Sequence, residues 1–121
     1  MPKINELEKI ASQVRRDVLR MVHHAACGHP GGSIGCADFM TALYFHQLKH
    51  DPNFNFDGKD EDIFILSNGH ISPVFYSVLA RSGYFHLDEL KTFRKLDSRL
   101  QGHPATLEVL PGVRIATGSL G

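Results

Sequence analysis

Ile63-Phe64-Ile65-Leu66-Ser67-Asn68-Gly69-His70 is the stretch on which the reading of this chain turns. Four consecutive apolar residues follow the acidic run Asp60-Glu61-Asp62. A small polar turn comes next, and Ile71-Ser72-Pro73 then opens another apolar segment. A short, unalternating apolar run bounded by turn residues is the pattern of a strand buried on both faces. Ser72 before Pro73 fits a helix N-cap followed by proline at the first helical position, where the missing N–H is not needed. The expected order is strand, tight loop, helix, with His70 in the loop at the carboxyl end of a parallel strand. Ligands of α/β proteins collect at that end of a sheet, and a helix N-terminus there favours a phosphate. Neither GxGxxG nor GxxxxGK[ST] occurs, so no standard nucleotide loop is present.

The 121 residues amount to one small domain or a piece of a larger one. An apolar content of 42% and a charged fraction of 21% describe an ordinary globular chain. Thirteen lysines and arginines balance 13 aspartates and glutamates, so charge points to neither nucleic acid nor an anionic membrane as a partner. No run approaches the roughly 18 apolar residues of a membrane span, and the first 27 residues are amphipathic and unlike a secretory or transit signal. Cys27 and Cys36 form no CxxC pair. Free thiols in a reducing cytoplasm are the simpler reading, a disulfide the alternative.

Apolar residues Leu7, Ile10, Val14, Val18, Met21, Val22 and Ala25 recur at threes and fours from Asn5 to about Cys27, predicting a helix with one buried stripe. Gly28-His29-Pro30-Gly31-Gly32 stops it. Ser33 is placed to cap a second helix reaching about Leu48, apolar on nearly every side and therefore buried, with Asp38 as its lone acid. A third helix is expected from about Pro73 to Ser82, with Gly83 at the position after its C-cap. Asp88 starts a short fourth carrying Leu90, Phe93 and Leu96, and residues 97–121 are loop-rich. Val113-Arg114-Ile115-Ala116 alternates weakly, as a short extended piece would. Four helices beside one strand, which requires neighbours, describe the first part of a larger α/β domain.

Three of the eight histidines share a setting: His29 in GHPGG, His70 in SNGH and His103 in GHP, each beside glycine at the edge of a regular element. Such side chains donate to phosphates or hydroxyls and move protons near neutral pH. A three-histidine zinc centre is the competing chemistry, although no HExxH or similar helical spacing is present. His23, His24, His46, His50 and His86 fall on helix faces or ends. Arg94, Lys95 and Arg99 could meet a phosphorylated ligand or simply form a solvated surface.

Taken together, GHPGGSIG (28–35), FILSNGHISPVFYSVL (64–79), FRKLDSRLQGHP (93–104) and PGVRIATGSLG (111–121) resemble transketolase. They match the start of its diphosphate-binding domain in order and spacing, over essentially the whole chain. The deoxyxylulose-phosphate synthases share the fold but carry a different segment around GHPGG. The resemblance implies an α/β fold: residues 1–121 would be the N-terminal portion of a thiamine diphosphate-binding parallel-sheet domain, mostly helical in this segment. It implies transfer of a two-carbon ketol unit from a ketose phosphate to an aldose phosphate, with sugar phosphates as substrates.

By the same resemblance, His70 contacts the cofactor phosphates, while Gly118 and Leu120 of TGSLG hold the aminopyrimidine. His29 and His103 are the catalytic candidates, lining the substrate channel, binding sugar hydroxyls and assisting proton transfer. The magnesium or calcium ion that anchors the diphosphate takes its ligands from a GDG…N segment expected beyond Gly121, so no metal ligand is assigned within the chain. The glutamate that activates the aminopyrimidine belongs to another domain, across a dimer interface. A C-terminal transketolase section or a second subunit, in a homo- or hetero-oligomer, is therefore the implied partner, and the isolated chain is expected to be inactive. The alternative from a different class is a catalytically silent remnant or partner-binding module.

Overall fold

The structure, a computed structural model, describes residues 3–118. The first element, α1, spans Ile4–Ala25 and begins with the Glu6 carboxylate accepting from the Lys3 backbone N–H at 3.3 Å. Ala11, Val14, Val18 and Met21 are buried along its length, and Ile10, Val22 and Ala25 pack beside them, as the helical spacing predicts. The helix ends two residues earlier than expected, at Ala26 in the left-handed conformation (φ 56°).

The predicted second helix is not one helix. Pro30–Gly35 forms α2, Ala37–Ala42 forms α3, and Leu43–Gln47 continues as a wider π turn. GHPGG therefore ends one helix and opens the next, because proline at the first helical position gives up no hydrogen bond. Ser33 does not cap. It lies inside α2, fully buried, and its hydroxyl donates to the Ile71 carbonyl at 3.4 Å. The expected all-round burial also fails, since Phe39 is 60% exposed. α3 packs on α1 and α4, which cover one side and leave the other bare. Asp38, the lone acid, pairs with Arg15 of α1 at 3.0 Å.

Ile63–Leu66 is the largest departure. It forms no strand, and among the described residues no strand occurs anywhere, Val113–Ala116 included. Ile63 is 55% and Ile65 48% exposed, while Leu66 is buried. An extended segment cannot pair its own backbone groups, and no neighbouring strand lies among the described residues to pair them. Phe64 packs edge-on to Tyr44, with ring centroids 5.8 Å apart.

A 3-10 turn, Gly69–Ile71, leads into α4, Ser72–Arg81. Every residue of α4 up to Ala80 is buried. Its end is as expected: the Gly83 N–H donates to the Ala80 carbonyl and the Tyr84 N–H to that of Leu79, both at 3.0 Å, with Gly83 at φ 96°. The fourth helix is a 3-10 segment, Leu87–Thr92, in which Leu90 is buried. Phe93 just beyond it is buried as well, but Leu96 is 92% exposed. A further 3-10 turn covers Thr106–Glu108.

One polar lock holds the helices in register. Asp17, in the buried stripe of α1, accepts from Arg81 Nε and Nη2 and from Ser77 Oγ of α4, each at 2.8 Å. The bond to Asp17 raises the Arg81 pKa and keeps the guanidinium charged. A second latch secures the loop after α3. His50 contacts the Tyr44 carbonyl at 2.6 Å and the Tyr84 hydroxyl at 2.8 Å, and burial followed by the charge of Glu61 pushes the Tyr84 phenol up to about 12. Both cysteines are free thiols. No helix among the described residues is long and apolar enough to cross a membrane.

Candidate functional site

His29 is the residue on which α2 starts, and its position follows from the proline behind it. His70 sits in the 3-10 turn ahead of α4, half-buried. The two imidazoles meet edge to face, with ring centroids 5.1 Å apart and planes at 83°. Residues 41 positions apart in sequence thus share one small surface. Two close backbone approaches hold them there. A Cβ on Gly32 would come within 2.6 Å of the Ile71 side chain, and a Cβ on Gly69 would collide with the Thr117 hydroxyl. The glycines of GHPGG and SNGH therefore permit segments to touch, in addition to any freedom of backbone angle.

The third histidine arrives by its backbone. Ser72 Oγ donates to the Gly102 carbonyl at 2.7 Å, and the Tyr76 hydroxyl donates to that of Gln101 at 2.6 Å. His103 follows immediately and is half-buried. The Thr117 N–H donates to the Pro104 carbonyl at 2.9 Å, which draws residues 116–118 to the same place. The four motifs singled out in the sequence therefore converge: 28–32, 67–70, 101–104 and 116–118. Gly118 is exposed, with open space where a Cβ would stand. Leu120 lies outside the described residues.

Sequence reasoning missed three members of this neighbourhood. The sequence places Ser72 as a cap, yet it is the first residue of α4 and its hydroxyl serves the 101–103 loop instead. Tyr76 carries no assignment in the sequence reading; it is fully buried, and its phenol donates to the Gln101 carbonyl. Thr117 carries a buried hydroxyl with no hydrogen-bond partner among the described residues, directly beside Gly69. A polar residue inside an apolar period was the available signal for Ser72.

Two imidazoles in contact, an unpartnered hydroxyl and open space at Gly118 are a donor-rich set suited to an oxygen-rich anionic ligand. The zinc alternative does not form, because no group of three His, Cys, Asp or Glu side chains among the described residues is placed to hold a metal. The cationic cluster also resolves: Arg99 is taken up by a two-bond pair with Glu89, at 2.6 and 2.8 Å, while Arg94 has its guanidinium against Gly102. A cavity of about 530 Å³ opens elsewhere, between α1 and Leu87–Lys91, and touches none of the four motifs.

The family model described as "Transketolase, thiamine diphosphate binding domain" matches residues 7–121. The chain belongs to the transketolase family. It is 44% identical over 115 residues to the transketolase of Buchnera aphidicola subsp. Acyrthosiphon pisum, covering 94% of this chain and 17% of that protein. Transketolase 2 of Vibrio parahaemolyticus is 42% identical over 113 residues, covering 93% and 17%. Among solved structures, Campylobacter jejuni transketolase superposes with a TM-score of 0.88 at 41% identity, over 99% of this chain and 18% of that one. A Pichia stipitis transketolase in complex with sedoheptulose-7-phosphate gives 0.86 at 35% identity, over 95% and 17%. The chain thus spans about a sixth of the length of the transketolases it matches. The fold is that of the corresponding part of those enzymes.

Proposed function

We propose that this chain is the N-terminal portion of a transketolase, residues 1–121 contributing one wall of a site that moves a two-carbon ketol unit from a ketose phosphate to an aldose phosphate. The observation that carries the reading is the meeting of His29 and His70 at 5.1 Å, with the 101–104 and 116–118 segments bonded around them. The donor set fits thiamine diphosphate: the His70 imidazole would hold its phosphates, and Gly118 with Leu120 would bound its aminopyrimidine. When bound, thiamine diphosphate supplies the carbon centre that accepts the ketol fragment and the electron sink that lets the C2–C3 bond of the ketose break.

The remaining work belongs to side chains of this chain. His29 and His103 donate to sugar hydroxyls, orient the ketose and move the proton released from its C3 hydroxyl as the bond breaks. They return a proton when the aldose carbonyl is attacked. A magnesium or calcium ion, the activating glutamate and much of the sugar-phosphate site would come from the C-terminal transketolase section or a second subunit. The chain by itself is then inactive.

The test has two arms. A coupled assay of the isolated chain with thiamine diphosphate, magnesium and a ketose phosphate donor should stay at blank, and turnover would overturn the dependence on a partner. In the assembled enzyme containing this chain, His70→Ala should mainly weaken cofactor affinity, whereas His103→Ala should mainly lower turnover and raise the substrate KM. Equal cofactor affinity in both variants would mean that the roles are misassigned.

A further inference from the structure

We propose that Ser72 and Tyr76 of α4 are positioning residues that fix the His103 loop relative to His70. The inference rests on the reading of His103 as a substrate-handling residue.

Both side chains are fully buried, and both spend their hydroxyls on consecutive carbonyls of the loop: Tyr76 on Gln101 at 2.6 Å and Ser72 on Gly102 at 2.7 Å. The donors are four residues apart on one helix, hence stacked on one face. Two bonds from one rigid edge to two successive peptide groups restrain the loop in rotation as well as translation. Ser72 is also only two residues from His70, in a continuous run of turn and helix. The backbone that places the His70 ring therefore places the hydroxyl that holds the residue before His103.

Arg94 ties the loop further. Its N–H donates to the Leu100 carbonyl at 2.8 Å, and its guanidinium lies 3.0 Å from where a Gly102 Cβ would stand. Arg94 holds a left-handed backbone (φ 62°), which an ordinary side chain rarely adopts. The loop is thus tied at residues 100, 101 and 102, directly ahead of the histidine. A phenylalanine at 76 would fill the same space without the buried oxygen. Burial, with the nearby charge of Glu108, pushes the Tyr76 phenol up, which keeps it a neutral donor. Proton transfer demands placement within fractions of an ångström, and a misplacement of about 1 Å is worth on the order of 100-fold in rate.

A purely structural role and a positioning role separate in a double-mutant cycle on the assembled enzyme, read as kcat and as thiamine diphosphate affinity. Tyr76→Phe and Ser72→Ala should each lower kcat by roughly 10-fold while leaving cofactor affinity within about twofold of the parent. In a His103→Ala background the same substitutions should lower kcat no further, because the group they position is gone. Losses that multiply with that of His103→Ala, or a fall in cofactor affinity as large as the fall in kcat, would overturn the inference and leave the reading of His103 intact. Unchanged turnover in His103→Ala would overturn that reading, and the inference with it. Should Ser72→Ala fail to fold, Tyr76→Phe, which removes a single oxygen, completes the cycle alone.

Discussion

Two apolar runs stand a few residues apart in this chain, and they have opposite fates. In α4, nine of the ten residues are buried, from Ser72 to Ala80. In Ile63–Leu66, just upstream, two of four side chains are about half exposed. Hydrophobicity does not separate them. A helix satisfies its backbone within one segment, so α4 needs only side-chain neighbours, and α1 and α3 supply them. An extended run needs a second strand before its backbone can leave water, and the described residues offer none. Apolar sequence therefore specifies burial only where the backbone has partners to go with it.

The comparison can be broken most sharply at the lock that secures α4. Asp17→Ala strands the Arg81 guanidinium and the Ser77 hydroxyl in a largely buried position. It should destabilise the chain by about 3–5 kcal/mol in urea unfolding. A loss under about 1 kcal/mol would mean that α4 is held by packing alone.

A matched pair sharpens it next. Leu79, fully buried on α4, should lose about 2–5 kcal/mol on Leu79→Ala. Ile65→Ala in the unpaired run should change stability by no more than about 0.5 kcal/mol. In the assembled enzyme, where a neighbouring strand would cover Ile65, its substitution should approach the cost of the other. Equal effects of the two substitutions in the isolated chain would show that the upstream run is already buried there.

The smallest effect is at the surface, between α1 and α3. The hydrogen bond from Arg15, followed in size by desolvation that opposes it, leaves the Asp38 pKa below its ordinary value. A carboxylate lowered in the folded state adds stability above its ordinary pKa and loses it as pH falls through the folded value. Asp38 is three-quarters exposed. Arg15→Gln should therefore lose under about 0.5 kcal/mol at pH 7, and the parent and variant should converge in acid. A gap that widened on acidification would reverse the assigned sign.

Much of the site was legible in the sequence because it is written in local chemistry. The glycine settings of His29, His70 and His103 marked the three turns that converge, whereas Pro30, a stop signal in the sequence, also opens α2. The α1 stripe and the Gly83 terminus were legible for the same reason: periodicity and a left-handed glycine act within one or two turns. Asp17 was legible in principle, as an acid inside an apolar stripe at Val14, Val18 and Met21. Its partners lay sixty residues away, in no pattern that links the two. The hydroxyls of Ser72 and Tyr76 escape the sequence reading for a related reason. A cap is the common local role of a serine before a proline, Tyr76 lies in an apolar helix with no local signal of its own, and only the path of the 101–103 loop engages their hydroxyls.

By itself, then, the sequence determined the buried stripe of α1, the span and Gly83 terminus of α4 and the turns that carry the histidines, because those depend on interactions between residues up to four apart. The tertiary structure alone decided that His29 touches His70, that Gly32 and Gly69 are small so that other segments can approach, and that α4 holds the loop before His103. It also decided that Ile63–Leu66 stays unpaired among the described residues. Each of these is a contact between distant segments, or the lack of one, and its energy depends on where the chain goes after the local signal has ended.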